Sequence, residues 1–134
     1  MSVQQKKKIL TPIFNKYIRL RECLETTGST LQGVCCTCGE VKPLEGLDAG
    51  HFISTRFNIF KYDEKNVHIQ CRKCNGVLKG NMKKYNNFMR VRYGNKIVDY
   101  MQATKYNYNK FTEGGLDGMI KDYRGKLKEI EGEQ

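Results

Sequence analysis

The sequence predicts an α+β protein in which a small zinc-stapled core of two strands and a helix is flanked by an N-terminal helix and C-terminal helices. Three observations carry that expectation. Two C-x-x-C pairs, Cys35/Cys38 and Cys71/Cys74, stand 32 residues apart, a layout in which two knuckles can close one tetrahedral site of four thiolates. Two short extended runs, 44–53 and 66–70, lie between the pairs. Apolar residues at helical spacing fill both flanks.

Residues 2–8 are a polar, basic lead-in with helical potential. Thr11-Pro12 reads as a helix start, with Thr as N-cap and Pro at the first position, where its missing N–H costs nothing. Ile13, Tyr17, Leu20 and Leu24 then form one apolar stripe, and the helix is expected to end near residues 26–28. Cys23 lies near the buried side and reads as a small core residue. A loop leads into the first knuckle, where Gly39 tolerates the turn, and Cys36 is left out of the site because a C-x-C ring would be tighter. The first strand should end near His51. Residues 54–63 read as loop or a short second strand, and 66–70 as an extended return into the second knuckle.

A helix should begin near Cys74 and carry Asn75, with Gly80-Asn81 as break and re-cap. Tyr85, Phe88, Met89 and Arg92 continue as helix to Gly94, and Asn95 is a candidate cap for a helix with Ile97, Val98 and Met101. Residues 106–110 read as loop. Thr112 caps a last helix with Leu116, Ile120, Tyr123, Leu127 and Ile130 on one side. Gly118 and Gly125 each weaken that helix by about 1 kcal/mol relative to Ala, so it needs a packing partner, either the first helix or a second subunit. The whole reads as one domain, 1–134: an N-terminal arm (1–30), a zinc-bound core (31–81) and a helical extension (82–134).

Lys plus Arg number 24 against 14 Asp plus Glu, a net charge of +10 spread along the chain and interleaved with Tyr and Asn in the second half. That balance suits a phosphate backbone. No apolar run approaches the roughly 18 residues of a membrane span, so no membrane partner is expected. Pro12 and Asn15 interrupt what would be the apolar part of a signal peptide, and a reducing cytoplasm is expected, in which six cysteines serve as ligands or free thiols.

The chemistry centres on His51, Asn66 and Asn75. Hydrolysing a phosphodiester takes a base to deprotonate water and a divalent cation to offset charge on phosphorus and on the leaving 3′ oxygen. His51 is the expected base, since neutral imidazole titrates near the working pH. Asn75 is placed to supply an oxygen to a hard cation, Mg2+ or Mn2+, and Asp48 is the nearest carboxylate that could join it. Asn66 is expected to orient the His51 loop through backbone hydrogen bonds. His68, between Val67 and Ile69, is a competitor of lower rank. Each residue also has a bland reading, since the asparagines form turns readily and a lone histidine in a short strand is more often structural.

This order of residues resembles the ββα-metal (HNH-like, His-Me finger) nuclease site. More specifically, Asp48-Ala49-Gly50-His51, Arg56-Phe57-Asn58, Asn66-Val67-His68, Cys71-x-x-Cys74-Asn75, Gly80-Asn81 and Tyr85 are similar to the pattern of the phage lambda NinG (Rap) family of recombination endonucleases. The likeness runs on into Phe111-Thr112 and Tyr123-x-x-Lys126-Leu127. It implies a structure-specific nuclease for branched double-stranded DNA, including Holliday junctions and D-loops, in the cytoplasm of a phage-infected or prophage-carrying bacterium. A more distant similarity is to phage junction-resolving enzymes in which four zinc cysteines also bracket the histidine. One departure stands out: many HNH nucleases place a metal-binding Asp directly before the histidine, and here that position is Gly50.

Paired cuts across a four-way junction need two cutting centres, so a homodimer is expected, with the stripes 13–24 and 116–130 as candidate interfaces. The rival reading is a non-catalytic zinc-containing module that binds DNA or RNA through its basic helices.

Overall fold

A computed structural model describes residues 1–132. It is a mixed fold of four α-helices and two small two-stranded sheets, matching the α+β expectation.

The first helix, α1 (Val3–Thr27), begins nine residues earlier than Thr11-Pro12 suggests. Ser2 accepts from the Gln5 amide and the Gln5 side chain returns the bond to Ser2, a capping box that satisfies two orphan amides. Pro12 sits inside the helix, and the Thr11 hydroxyl bonds Tyr62 Oη at 2.8 Å instead of capping. Leu10, Phe14 and Ile18, all fully buried, lie on both sides of Pro12, and their burial outweighs the lost backbone bond. Gly28, at φ 78°, closes the helix where the sequence places its end.

Strands β1 (Gln32–Val34) and β2 (Val41–Pro43) form a hairpin around the first knuckle, a pairing the sequence did not announce. Strands β3 (Leu47–His51) and β4 (Val67–Cys71) pair antiparallel, with Asp48 opposite Gln70 and Gly50 opposite His68. Residues 54–63 contain no strand; their only regular element is a 3₁₀ turn, Asn58–Phe60. After Cys71 the chain makes a π-helical turn, Lys73–Val77, rather than the α-helix expected there. Lys79, Gly80 and Asn81 follow with φ of 51°, 93° and 49°, three consecutive left-handed residues that reverse the chain into α2 (Met82–Tyr93). Glycine carries the largest of these angles, where a side chain would be strained.

Helix α3 (Asn95–Thr104) starts at Asn95 with Gly94 as the cap residue; Asn95 accepts from Arg90 instead of capping. Thr112 caps α4 (Glu113–Gly132), its hydroxyl accepting from the Gly115 amide at 3.0 Å. Helices α1 and α4 pack on each other, but not through the stripe expected for the first helix: Leu10, Phe14 and Ile18 meet Leu116, Ile120 and Tyr123, together with Val67 of β4, while Ile13 and Tyr17 sit partly buried at the edge of the cluster. Part of the apolar surface from which a dimer interface was expected is therefore covered within one chain. A second cluster joins Phe52, Ile53 and Phe60 to Tyr85 and Met89 of α2 and to Val98 and Met101 of α3. The β3–β4 hairpin lies between the two layers, and Tyr85 fastens it from below by donating to the Gly50 carbonyl and accepting from the His68 amide. Among the described residues, no helix is long and apolar enough to cross a membrane.

Candidate functional site

Four cysteine sulfurs converge where the two knuckles meet. Cys35, Cys38, Cys71 and Cys74 place their Sγ atoms within 4.8 Å of one another, so the cluster could hold a metal such as zinc. Burial pushes the Cys35 thiol up, but hydrogen bonds from the Thr37 hydroxyl and from backbone amides outweigh that and bring it down to about 6. Cys38 is pushed up to about 12 by desolvation and by the neighbouring Cys35 thiolate. One thiolate thus resists the next, a repulsion that a bound cation removes. Cys36 stands outside the cluster, and Cys23 packs in the core against Leu47 and Ile69.

His51 ends β3 at the far end of the β3–β4 pairing from the cysteines: Leu47 stands opposite Cys71 and His51 opposite Val67. The histidine lines a cleft of about 390 Å³ with Asn75 of the π-turn, Ser54, Thr55, Lys79 and Gly80. His51 Nε2 lies 3.2 Å from the Lys61 carbonyl. A carbonyl only accepts, so Nε2 carries the proton and the lone pair stands on Nδ1. Burial disfavours the imidazolium, the bond to the Lys61 carbonyl opposes that, and the Lys61 ammonium adds to it. The net effect holds His51 below the ordinary 6.5.

Asn75 is also tied to the strand, its Nδ2 donating to Asp48 Oδ2 at 3.2 Å, while Asp48 Oδ1 lies 3.6 Å from the Arg72 guanidinium. Asp48 does not line the cleft itself. Asn66 is fully buried outside the cleft and clamps the loop that follows His51. Its Oδ1 accepts from the Ile53 amide at 2.7 Å, and its Nδ2 donates to the carbonyls of Ile53 and Phe60. The structure therefore brings His51 and Asn75 together, links Asp48 to Asn75, and leaves Asn66 in a supporting position.

His68 lies elsewhere. It is fully buried, with Nδ1 against Glu22 of α1, and Tyr93 Oη reaches its Nε2 at 3.0 Å. No open face is left for it to serve as a base in the cleft.

Two features of the site were not read from the sequence. The Lys61 carbonyl that sets the His51 tautomer is backbone, and no residue type signals it. Gln70 explains Gly50: a Cβ at position 50 would fall 2.0 Å from Gln70 Oε1. The Gln70 carboxamide fills the space, held by bonds from its Nε2 to the Gly80 carbonyl at 2.8 Å and Thr37 Oγ1 at 3.2 Å, while Oε1 is buried without a partner.

Comparison with known proteins places the chain. No solved structure matches it significantly. It is 30% identical over 97 residues to "Protein ninG" of Escherichia phage 933W, and 29% identical over 97 residues to the proteins of the same name from Escherichia phage lambda and Salmonella phage P22. Each alignment covers 72% of this chain and 47% of the relative, so the chain spans about half the length of these curated relatives. The family described as "Bacteriophage Lambda NinG protein" matches residues 2–133, and the chain belongs to that family.

Proposed function

We propose that the chain is a metal-dependent, structure-specific endodeoxyribonuclease that hydrolyses phosphodiesters in branched recombination intermediates such as Holliday junctions and D-loops. In this reading β3, β4 and the turn carrying Asn75 form a ββα-metal, HNH-like core. The observation that carries it is the shared cleft: His51, with a free Nδ1 and a depressed proton affinity, faces the same space as Asn75.

His51 Nδ1 takes the proton of the attacking water, and its Nε2 stays fixed on the Lys61 carbonyl. Asn66 keeps the loop after His51 in place. Asn75, in the cleft, and Asp48, just outside it, would hold Mg2+ or Mn2+, and the fit is in the donor set: a carboxamide and a carboxylate, joined Nδ2 to Oδ2 at 3.2 Å, each offer an oxygen to a hard cation. Such a cation offsets charge on the phosphate and on the leaving 3′ oxygen. Zinc on the four cysteines is structural, binding both knuckles so that the excursion bearing His51 is closed.

The three-part division into arm, core and extension, a location in the cytoplasm of a phage-infected or prophage-carrying bacterium, and a homodimer on the junction belong to the same proposal. The dimer rests on the need for two cutting centres related by a two-fold axis.

A nicking assay on a four-way junction, a flap and a duplex side by side tests it. Mg2+-dependent nicking of the branched substrates that disappears in His51→Ala, with DNA binding retained, is the expected result. Nicking that survives His51→Ala overturns the assignment of the base. Binding with no nicking by the unaltered protein leaves a non-catalytic zinc-containing DNA- or RNA-binding module.

A further inference from the structure

The Arg56-Phe57-Asn58 run plays no part in the chemistry above, yet it anchors a surface at the mouth of the cleft. Asn58 Nδ2 donates to the Asn109 carbonyl at 2.7 Å, and the Asn109 amide donates back to Asn58 Oδ1 at 2.9 Å. This reciprocal pair, spanning 51 residues of sequence, bolts the loop after α3 to the loop after His51. The bolted loop presents Tyr106 and Tyr108, 73% and 77% exposed, whereas Tyr62, Tyr85 and Tyr123 are buried in the core. Phe57 meets Tyr106 edge to face at 5.3 Å, Lys105 Nζ lies 5.4 and 5.3 Å over their two rings, and the Arg56 guanidinium lies 5.2 Å over Phe57. Beside this stack runs a second cleft of about 360 Å³, lined in part by Phe57, Asn86 and Lys105, and it shares Phe52, Ser54 and Met82 with the His51 cleft.

We propose that this surface seats an unpaired nucleotide of branched DNA next to the strand cut at His51. The inference deepens the nuclease reading and rests on it for the position of the scissile phosphate. In a duplex the base faces are covered by their neighbours, so an exposed aromatic finds a stacking partner only where a base is unpaired. Arg56 and Lys105 place cations where the accompanying phosphates run, in keeping with the net charge of +10. The Asn58–Asn109 bolt fixes the tyrosines before the strand arrives, which reduces the ordering cost of binding. Selection of a D-loop or flap over plain duplex then comes from the surface, while the cleft beside it performs the cut.

The test is binding of the zinc-loaded full chain to a fluorescent oligo(dT) 12-mer and to a blunt two-strand duplex, by anisotropy, without added Mg2+ or Mn2+. Tyr106→Ala is expected to weaken oligo(dT) binding about tenfold and duplex binding by less than about twofold, and Tyr106→Phe to keep both. Lys105→Gln is expected to weaken both and to lower the salt slope by about one. A Tyr106→Ala protein that binds oligo(dT) like the unaltered chain, or loses both substrates equally, overturns the proposal. Because nothing is cut, the result stands apart from the base assignment: a protein that never nicks but shows the Tyr106 effect keeps the seat and removes the nuclease.

Discussion

Glu22 and His68 form a buried pair that joins the first helix to the fourth strand: His68 Nδ1 lies 2.5 Å from Glu22 Oε2, and Glu22 Oε1 accepts from the Ile69 amide at 2.8 Å. Burial pushes the Glu22 carboxyl up, but the hydrogen bond and charge of His68, with the Ile69 amide and Arg21, hold it below its ordinary value. Glu22→Ala leaves a buried imidazole and a buried amide without their acceptor and is expected to cost about 3–5 kcal/mol in urea unfolding. The Glu22 contribution is present at neutral pH. Because the folded value lies below the unfolded one, it is lost as pH falls below about 4.5 and through the folded value. A variant as stable as the parent at pH 7 would remove this pair as a fastener.

A metal held by the cysteine cluster would tie binding to folding. Chelation, or Cys74→Ser, is expected to unfold the central region, because the four sulfurs join the β1–β2 hairpin to the end of β4 with little apolar core around them. Zinc content by atomic absorption and melting by circular dichroism check this together. A zinc-free protein with unchanged melting would contradict it.

If His51 is the base of the proposed reaction, its environment sets a pH limb. The base form persists to lower pH than an ordinary histidine allows, so the acid limb of nicking is expected at a midpoint below 6.5, with the rate falling as pH drops through it. Lys61→Met removes the ammonium but keeps the carbonyl, and should move that limb upward. A limb at or above 6.5 in the parent would show that the buried ring is not the titrating base.

Gly50 supplies a packing test. Gly50→Asp restores the residue that precedes the histidine in many HNH nucleases, yet its Cβ would collide with Gln70 Oε1, so a loss of about 1–3 kcal/mol is expected. Gln70→Ala in the same chain clears the space and should recover part of it. Equal melting of Gly50→Asp and the parent would show that Gln70 gives way freely.

Much of the molecule is written locally. The apolar spacing of α4, the Gly28 stop, the Thr112 cap and the two C-x-x-C knuckles are short-range signals, whereas the buried face of α1 is Leu10, Phe14 and Ile18 rather than the stripe from Ile13 to Leu24. The π-turn at 73–77 and the placement of Pro12 inside a helix were not legible, because each opposes local propensity and is held by distant contacts. Leu10, Phe14 and Ile18 bury against α4 whatever Pro12 prefers.

The two histidines mark the same boundary. Sequence order ranked His51 above His68, but only the tertiary structure separates their surroundings: Glu22, 46 residues away, buries one, and a backbone carbonyl with an adjoining cleft leaves the other a free nitrogen. The residues that complete a site are chosen by proximity in space, which periodicity along a chain does not encode. Asn58 and Asn109, Gly50 and Gln70, and Glu22 and His68 are partners because the helices and strands between them pack, and the burial that drives packing is collective rather than local.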